Sequence, residues 1–181
     1  MRDATDVFSE WAGKGKDEGM ERGHAASVNQ MLNLALATNN LSQRPFTAID
    51  IGCGNGWVVR KLQCLEKCLS AEGVDGSISM IEKAIQIDPK GKYSVAMLPQ
   101  WRPNNSVDLI HSMEFLYYLE DPVAMIKIIH DEWLNSGGVF VAAAGVVVGI
   151  VVSIVVLWCA RGVVTVVASC CSQFTVVLPR G

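Results

Sequence analysis

The sequence predicts an α/β fold in which a parallel sheet lies between two layers of helices. Two observations predict it. Short apolar strands alternate with amphipathic helices between residues 47 and 143, and a glycine-rich loop joins the first of these strands to the helix that follows it. Because strand–helix–strand crossovers are right-handed, every strand-to-helix loop lies at one edge of the sheet, and ligands of such folds bind at that edge.

The spacing of apolar residues predicts each element in turn. The predicted strands are 47–51, 72–75, 93–97, 107–111 and 139–143, and the predicted helices are 57–69, 77–87 and one that begins at 121–122 and ends before residue 135. Ser79 and Glu82 have the spacing of a capping box for the second helix. Residues 3–46 form a helical lead-in, because apolar residues recur at helical spacing from Val28 to Leu36.

Length and composition exclude several classes of protein. The chain has 181 residues and a net charge of -3 with a pI near 5.6, so it is expected to form one main domain without a basic surface for nucleic acid. The polar N-terminus lacks the apolar run of a secretory signal, which predicts a cytoplasmic core. The six cysteines match neither a zinc pattern nor a disulfide framework, so no metal site is expected.

The residues after Gly138 have a different composition, and they account for most of the positive mean hydropathy of +0.29. Residues 139–160 contain no charge and are long enough to cross a bilayer, so a membrane anchor is one interpretation. Translation through an unspliced intron or a shifted frame is a second, because the dominant residue types share codons rich in G and T. Native sheet strands are a third. We therefore divide the chain into a lead-in or cap at 1–46, a core at 47–144 and an apolar tail at 145–181.

The glycine loop is the strongest motif in the sequence, and it reads Ala-Ile-Asp-Ile-Gly-Cys-Gly-Asn-Gly over residues 48–56. Its spacing is Gly-x-Gly-x-Gly, whereas a pyrophosphate-binding dinucleotide loop needs Gly-x-Gly-x-x-Gly. A carboxylate at Asp50 would repel a pyrophosphate but suits a sulfonium cofactor that carries an ammonium group. Asp75 ends the next strand about twenty residues later, where an acid can accept both ribose hydroxyls. A tight turn without a ligand is the alternative.

Five blocks of sequence carry a resemblance to a known family: DIGCGNG, GVDGSISMIEKA, LPQW, VDLIHSMEFLYYLEDP and LNSGGVFV. In this order they resemble the class I S-adenosylmethionine-dependent methyltransferases, and among these the type 11 branch with small-molecule and lipid acceptors. The resemblance implies a Rossmann-like three-layer fold that is incomplete on its C-terminal side. It also implies S-adenosyl-L-methionine as the cofactor, with a small-molecule or lipid methyl acceptor.

The residues that would contact this cofactor share one edge of the predicted sheet. Asp50, the loop residues Gly52, Cys53, Gly54 and Gly56, and Asp75 follow from the motif itself. The resemblance adds Gly76, Ser77, Met97 and Leu98 around the adenine, and His111 and Ser112 beside the methionine portion. The third strand ends Val95-Ala96-Met97, where many members carry an aspartate that binds the adenine amino group.

Three residues near this edge are candidate acid–base groups: His24, His111 and Glu114. Each has a structural alternative, because His111 ends a buried strand, Glu114 can face solvent, and His24 follows charged residues. Tyr117 and Tyr118 are further catalytic candidates, and packing in a helix is the alternative for both.

Two classes of function remain open from the sequence. The first is methyl transfer, for which positioning of donor and acceptor matters more than a general base. The second is a non-catalytic cofactor-binding module that has lost its acceptor half. An NAD-dependent dehydrogenase is disfavoured by the glycine spacing.

Overall fold

The computed structural model describes residues 16–143 and, beyond them, the backbone of short strands at 146–147, 150–151, 154–159, 163–168 and 174–176. The main helices are α1 (Lys16–Ala37), α2 (Trp57–Gln63), α3 (Ile78–Ile87) and α4 (Pro122–Ile128). A 3₁₀ turn, Thr38–Gln43, follows α1, a second one spans Leu116–Tyr118, and a π-helical turn, Ile129–Trp133, follows α4.

Five parallel strands form one side of the sheet, in the order β3-β2-β1-β4-β5, with β3 at the edge. They are β1 (Phe46–Ile51), β2 (Cys68–Asp75), β3 (Lys92–Val95), β4 (Val107–Met113) and β5 (Leu134–Ala143). Strands β2 and β3 lie on one side of β1, whereas β4 and β5 lie on its other side. Strands β1 and β4 therefore flank the topological switch point, where ligands of such folds bind. The predicted parallel α/β fold is confirmed.

The sheet continues beyond β5 with three antiparallel strands, β8 (Ile154–Cys159), β9 (Val163–Ala168) and β10 (Phe174–Val176). The two short strands β6 (Val146–Val147) and β7 (Ile150–Val151) pair only with each other among the described residues. The predicted membrane helix at 139–160 is therefore wrong where the structure describes it, because its first residues pair with β4 on one side and β8 on the other. Within the described parts of the chain, no helix is long and apolar enough to cross a membrane.

Two apolar layers cover the two faces of the sheet. On one face, Val28, Met31 and Ala35 of α1 are fully buried in a cluster with α2 and with residues of β1 and β5. On the other face, Met125, Ile129 and Trp133 are buried against the side chains of β4 and β5 that point to this face.

The turn that follows α1 lies at the edge of the sheet where the strands begin, because the Asn39 side chain donates to the carbonyl of Gly137 near the start of β5 (3.0 Å).

Several predicted boundaries were wrong, and in each case tertiary pairing or local geometry is the reason. The helix predicted at 57–69 ends at Gln63, because the strand that begins at Cys68 pairs with β1 as far as Val74, so Cys64 and Cys68 do not share a helix. Ser77, and not Ser79, caps α3: its backbone is extended and its hydroxyl accepts from the Met80 N–H (3.4 Å). Strand β3 ends at Val95, which leaves Met97 in a loop. Because β4 and β5 pair with each other from Val107 and Leu134 onward, β4 is longer than predicted and β5 begins earlier.

Asp108 joins the start of β4 to the start of β1. Its carboxylate accepts from the Arg44 guanidinium (2.8 Å) and from the Thr47 N–H (2.9 Å). Burial pushes the pKa of Asp108 upward, but these hydrogen bonds outweigh burial and hold the pKa below its ordinary value.

Replacement of Asp108 by alanine is expected to lower the free energy of unfolding by about 1 to 3 kcal/mol at neutral pH, because the Thr47 N–H loses its partner. A depressed carboxyl pKa stabilises the fold above the unfolded pKa of about 4, and this contribution is lost as the pH falls through the folded value. Urea titrations should therefore give a difference between the two proteins that narrows below pH ~4. A difference that stays constant into acid would contradict the assignment, and Asp108→Asn is the control that keeps an acceptor for Thr47.

Candidate functional site

The site is built around the switch point, where β1 and β4 lie side by side. Their register places Asp50 directly opposite His111. The His111 Nδ1 lies 2.7 Å from the Asp50 Oδ1, and the two residues are 0 % and 2 % exposed. The Asp50 carboxylate therefore binds the imidazole of the neighbouring strand.

The other ring nitrogen of His111 is buried without a hydrogen-bond partner among the described residues. The tautomer of the ring decides whether Nε2 donates or accepts. A buried polar atom left unpaired costs about 1 to 3 kcal/mol. The unpaired Nε2 therefore marks the switch point as a place where a polar group of a ligand would gain a hydrogen bond.

The glycine loop follows β1 and turns sharply into α2. Gly52, Gly54 and Gly56 all have positive φ, between 52° and 76°, a region that favours glycine. The N–H groups of Gly52 and Cys53 donate to the Val74 carbonyl (2.8 and 3.1 Å), which fixes the loop to β2. The Phe115 side chain packs so closely on Gly52 that an added Cβ would lie 2.7 Å from the Phe115 Cβ.

The Asp75 carboxylate links this loop to the helix that follows β2. One oxygen accepts from the Gly54 N–H (2.9 Å), and the other accepts from the Ser77 N–H (2.8 Å). Burial raises the pKa of Asp75 above its ordinary value, and the two backbone donors offset part of this rise. Each oxygen keeps a further lone pair, so the carboxylate can also accept hydroxyl groups of a ligand.

Glu114 stands immediately after β4, at the opposite side of the switch point from the loop. Its φ is +55°, a left-handed conformation that is uncommon for residues other than glycine, and its N–H donates to the Ala143 carbonyl at the end of β5 (2.8 Å). Tyr117 and Tyr118 lie in the 3₁₀ turn that follows, with ring centroids 4.3 Å apart and a hydrogen bond between their hydroxyls (3.3 Å). Burial, followed by the neighbouring Tyr118 and Glu114, raises the pKa of Tyr117, which keeps this hydroxyl protonated.

Comparison with known proteins gives the family. A family model described as a methyltransferase domain matches residues 10–143, which is more than half of the chain. The chain belongs to this family. The strand order of its parallel sheet is that of the class I methyltransferases.

Two curated relatives of this methyltransferase domain are trans-aconitate 2-methyltransferases. The enzyme of Klebsiella pneumoniae is 33% identical over 73 residues, which cover 40% of this chain and 29% of that enzyme. The enzyme of Agrobacterium fabrum is 29% identical over 97 residues, which cover 54% of this chain and 38% of that enzyme. The chain thus matches only about a third of the length of these two relatives.

Solved structures resemble the domain over a larger share of the chain. A Haloferax volcanii methyltransferase, solved in a complex with the Trm112 methyltransferase activator, has a TM-score of 0.65 and 30% identity. This match covers 80% of this chain and 61% of that one. The protein DhpI, solved in a complex with SAH, has a TM-score of 0.62 at 16% identity and covers 97% of this chain and 78% of that one, a likeness of fold alone.

The methyltransferase domain brings most of the predicted site residues to one edge. The residues at the ends of β1, β2 and β4, or directly after these strands, are Asp50, the loop glycines, Asp75, Gly76, His111, Ser112 and Glu114. Met97 and Leu98 lie two and three residues beyond β3, with Met97 56% exposed and Leu98 packed in the second core cluster. The roles of these residues remain predictions.

Three predicted residues have surroundings that the sequence did not reveal. The Cys53 side chain is buried in the core and faces Gly73, so only its backbone can line the loop. Ser77 is 1% exposed and caps α3. His24 lies on the face of α1 that also carries Val28 and Met31, four and seven residues later.

The Asp50–His111 pair is the main feature that the sequence analysis did not find. The signal for it was present, since both residues are polar and both lie at the ends of predicted buried strands, but their partnership depends on the register between the strands.

A pair of glycine substitutions tests the geometry of the loop. Gly52→Ala combines a positive φ with the contact to Phe115, whereas a Cβ on Gly54, which also has a positive φ, meets nothing within 4 Å. Conformational strain alone costs about 1 kcal/mol, and overpacking adds about 1 to 3 kcal/mol. Urea denaturation should therefore show a larger loss of stability for Gly52→Ala than for Gly54→Ala. Equal losses would mean that Phe115 moves away freely.

Proposed function

We propose that this protein transfers a methyl group from S-adenosylmethionine to a small-molecule acceptor. The observation that carries the proposal is the pairing of Asp50 with His111 at the switch point, which leaves a buried, unsatisfied Nε2 beside the glycine loop. Family membership supports the reaction class, and the trans-aconitate 2-methyltransferases among the relatives of this chain favour a small-molecule acceptor.

The residues present fit this cofactor. Asp75 keeps lone pairs for the two ribose hydroxyls, and the space above Gly54 is open, so a ribose can approach the loop backbone there. The exposed Met97 side chain is available to cover an adenine. A polar group of the methionine portion can pair with His111 Nε2, which gives the buried atom a partner.

In the mechanism that we propose, the protein works mainly by positioning. S-adenosylmethionine supplies a methyl group on a sulfonium, which is already activated for transfer to a nucleophile. Asp75 and the glycine loop fix one end of the donor, and His111, oriented by Asp50, fixes the other. Positioning of this kind can supply about 7 to 11 kcal/mol of barrier reduction, so a general base is not essential.

Asp75 gives the first test of the proposal. Asp75→Asn is expected to weaken S-adenosylhomocysteine binding tenfold to a hundredfold, because hydrogen bonds to a charged acceptor are worth about 1.5 to 3 kcal/mol. Calorimetry with S-adenosylhomocysteine and, separately, with NAD measures it, and Glu82→Gln on the exposed face of α3 is the control. Binding of NAD instead of S-adenosylhomocysteine would refute the proposed function.

His111 gives a second test, which isolates one end of the cofactor. His111→Leu is expected to weaken S-adenosylhomocysteine binding about tenfold but to leave the affinity for 5′-methylthioadenosine within about twofold, because that nucleoside lacks the amino-acid portion. Asp50→Asn should act in the same direction, since the imidazole loses the partner that orients it. An equal loss for both ligands would instead indicate a general structural defect.

The non-catalytic module remains the second candidate, favoured by the short match to the length of the curated relatives. Both candidates bind the cofactor, so turnover separates them. We expect single-turnover transfer of radiolabelled methyl to a mixture of small polar acceptors, and binding without any transfer would favour the module.

A further inference from the structure

The residues that follow β4 form a polar cluster that the cofactor site does not use. We define the Glu114 cluster as Glu114, Tyr117 and Tyr118. Glu114 is three residues beyond His111, which places it about 10 Å further along the strand direction. Phe115, which packs on Gly52, ties the cluster to the glycine loop. The cluster therefore borders the place where a methyl donor bound by the loop would meet its acceptor.

The backbone at Glu114 is held in a costly conformation. A residue other than glycine with φ near +55° costs on the order of 1 kcal/mol and persists only where surrounding contacts determine it. The hydrogen bond from its N–H to the Ala143 carbonyl at the end of β5 supplies such a contact (2.8 Å). This hydrogen bond fixes the backbone of Glu114 at the rim of the site.

The two tyrosines add aromatic surface beside this carboxylate. Their rings are tilted by 46° with centroids 4.3 Å apart, and their side chains are about half exposed. The Tyr117 hydroxyl donates to that of Tyr118 (3.3 Å), and Glu114 lies close enough to contribute to the raised pKa of Tyr117. A carboxylate next to tyrosine rings is a suitable environment for an organic cation, which gains both charge attraction and cation–π contact.

The charge of the surrounding segment points in the same direction. No lysine or arginine occurs between Arg102 and Lys127, whereas Glu114, Glu120 and Asp121 lie within eight residues of one another. This segment therefore contains no lysine or arginine that could bind an acceptor with several carboxylates.

We propose that the Glu114 cluster binds the acceptor of the methyl transfer and that this acceptor is an amine, an inference that rests on the function proposed above. Glu114 and the tyrosine rings bind the ammonium form. The ammonium loses one proton to water at this half-exposed rim, which frees the nitrogen lone pair. The nitrogen then attacks the sulfonium methyl: the N–C bond forms, the S–C bond breaks with its electron pair returning to sulfur, and the products are a methylated ammonium and a neutral thioether.

Binding measurements with matched probes test the amine assignment without the need for turnover. The full-length protein is saturated with S-adenosylhomocysteine and titrated calorimetrically with phenethylamine, 2-phenylethanol and 3-phenylpropanoate, which share one ring and differ in charge. We expect the amine to bind about tenfold to a hundredfold more tightly than the alcohol, and the carboxylate to bind more weakly than either. Equal affinities, or a preference for the carboxylate, would overturn the assignment.

Variants locate the preference within the chain. Glu114→Gln should bring the amine to within about threefold of the alcohol, whereas the matched variant Glu120→Gln should leave the preference unchanged. If both variants reduce the preference equally, the field of the acidic segment and not the cluster is responsible, and the assignment fails. Loss of amine preference with S-adenosylhomocysteine still bound overturns the amine assignment alone. Failure of S-adenosylhomocysteine to bind overturns the proposed function and the amine assignment together.

Discussion

The parallel register between β1 and β4 is the constraint on which the site depends. It pairs Ile49 with Ile110 in one apolar layer, and it thereby places Asp50 beside His111 in the other. The glycine loop leaves the end of β1, and the strained residue Glu114 leaves the end of β4. A shift of one residue would turn every side chain of a strand to the opposite face, so the loop, the buried pair and the rim would no longer meet.

Features that depend on neighbouring residues could be predicted from the sequence. The glycine loop, the position of Asp75 and the start of α4 at Asp121 all follow from short-range chemistry, and the Asp121 side chain indeed caps its helix by accepting from the Ala124 N–H (2.8 Å). The end of α2 could not be predicted in this way. Leu65 and Leu69 continue its helical stripe, but pairing of the strand that begins at Cys68 with β1 outweighs the local preference.

The apolar run after Gly138 shows a limit of hydropathy as a guide. A strand buried on both faces has no alternation of polar and apolar residues, so it resembles a membrane segment in composition. Strand β5 is of this kind, since its last five residues, 139–143, are all apolar and buried between the two layers. Long-range pairing distinguishes the two cases, and a single sequence does not contain that information.

The burial of Cys53 has a consequence for the oxidation chemistry of the protein. Burial, followed by the carboxylates of Asp50 and Asp75, raises the pKa of this thiol well above its ordinary value. Oxidants and alkylating reagents attack the thiolate, so the sulfur inside the glycine loop is protected from both. Cys64, by contrast, is exposed just beyond α2. A fluorophore or spin label can therefore be attached at Cys64 while the loop that surrounds the proposed cofactor site stays chemically intact.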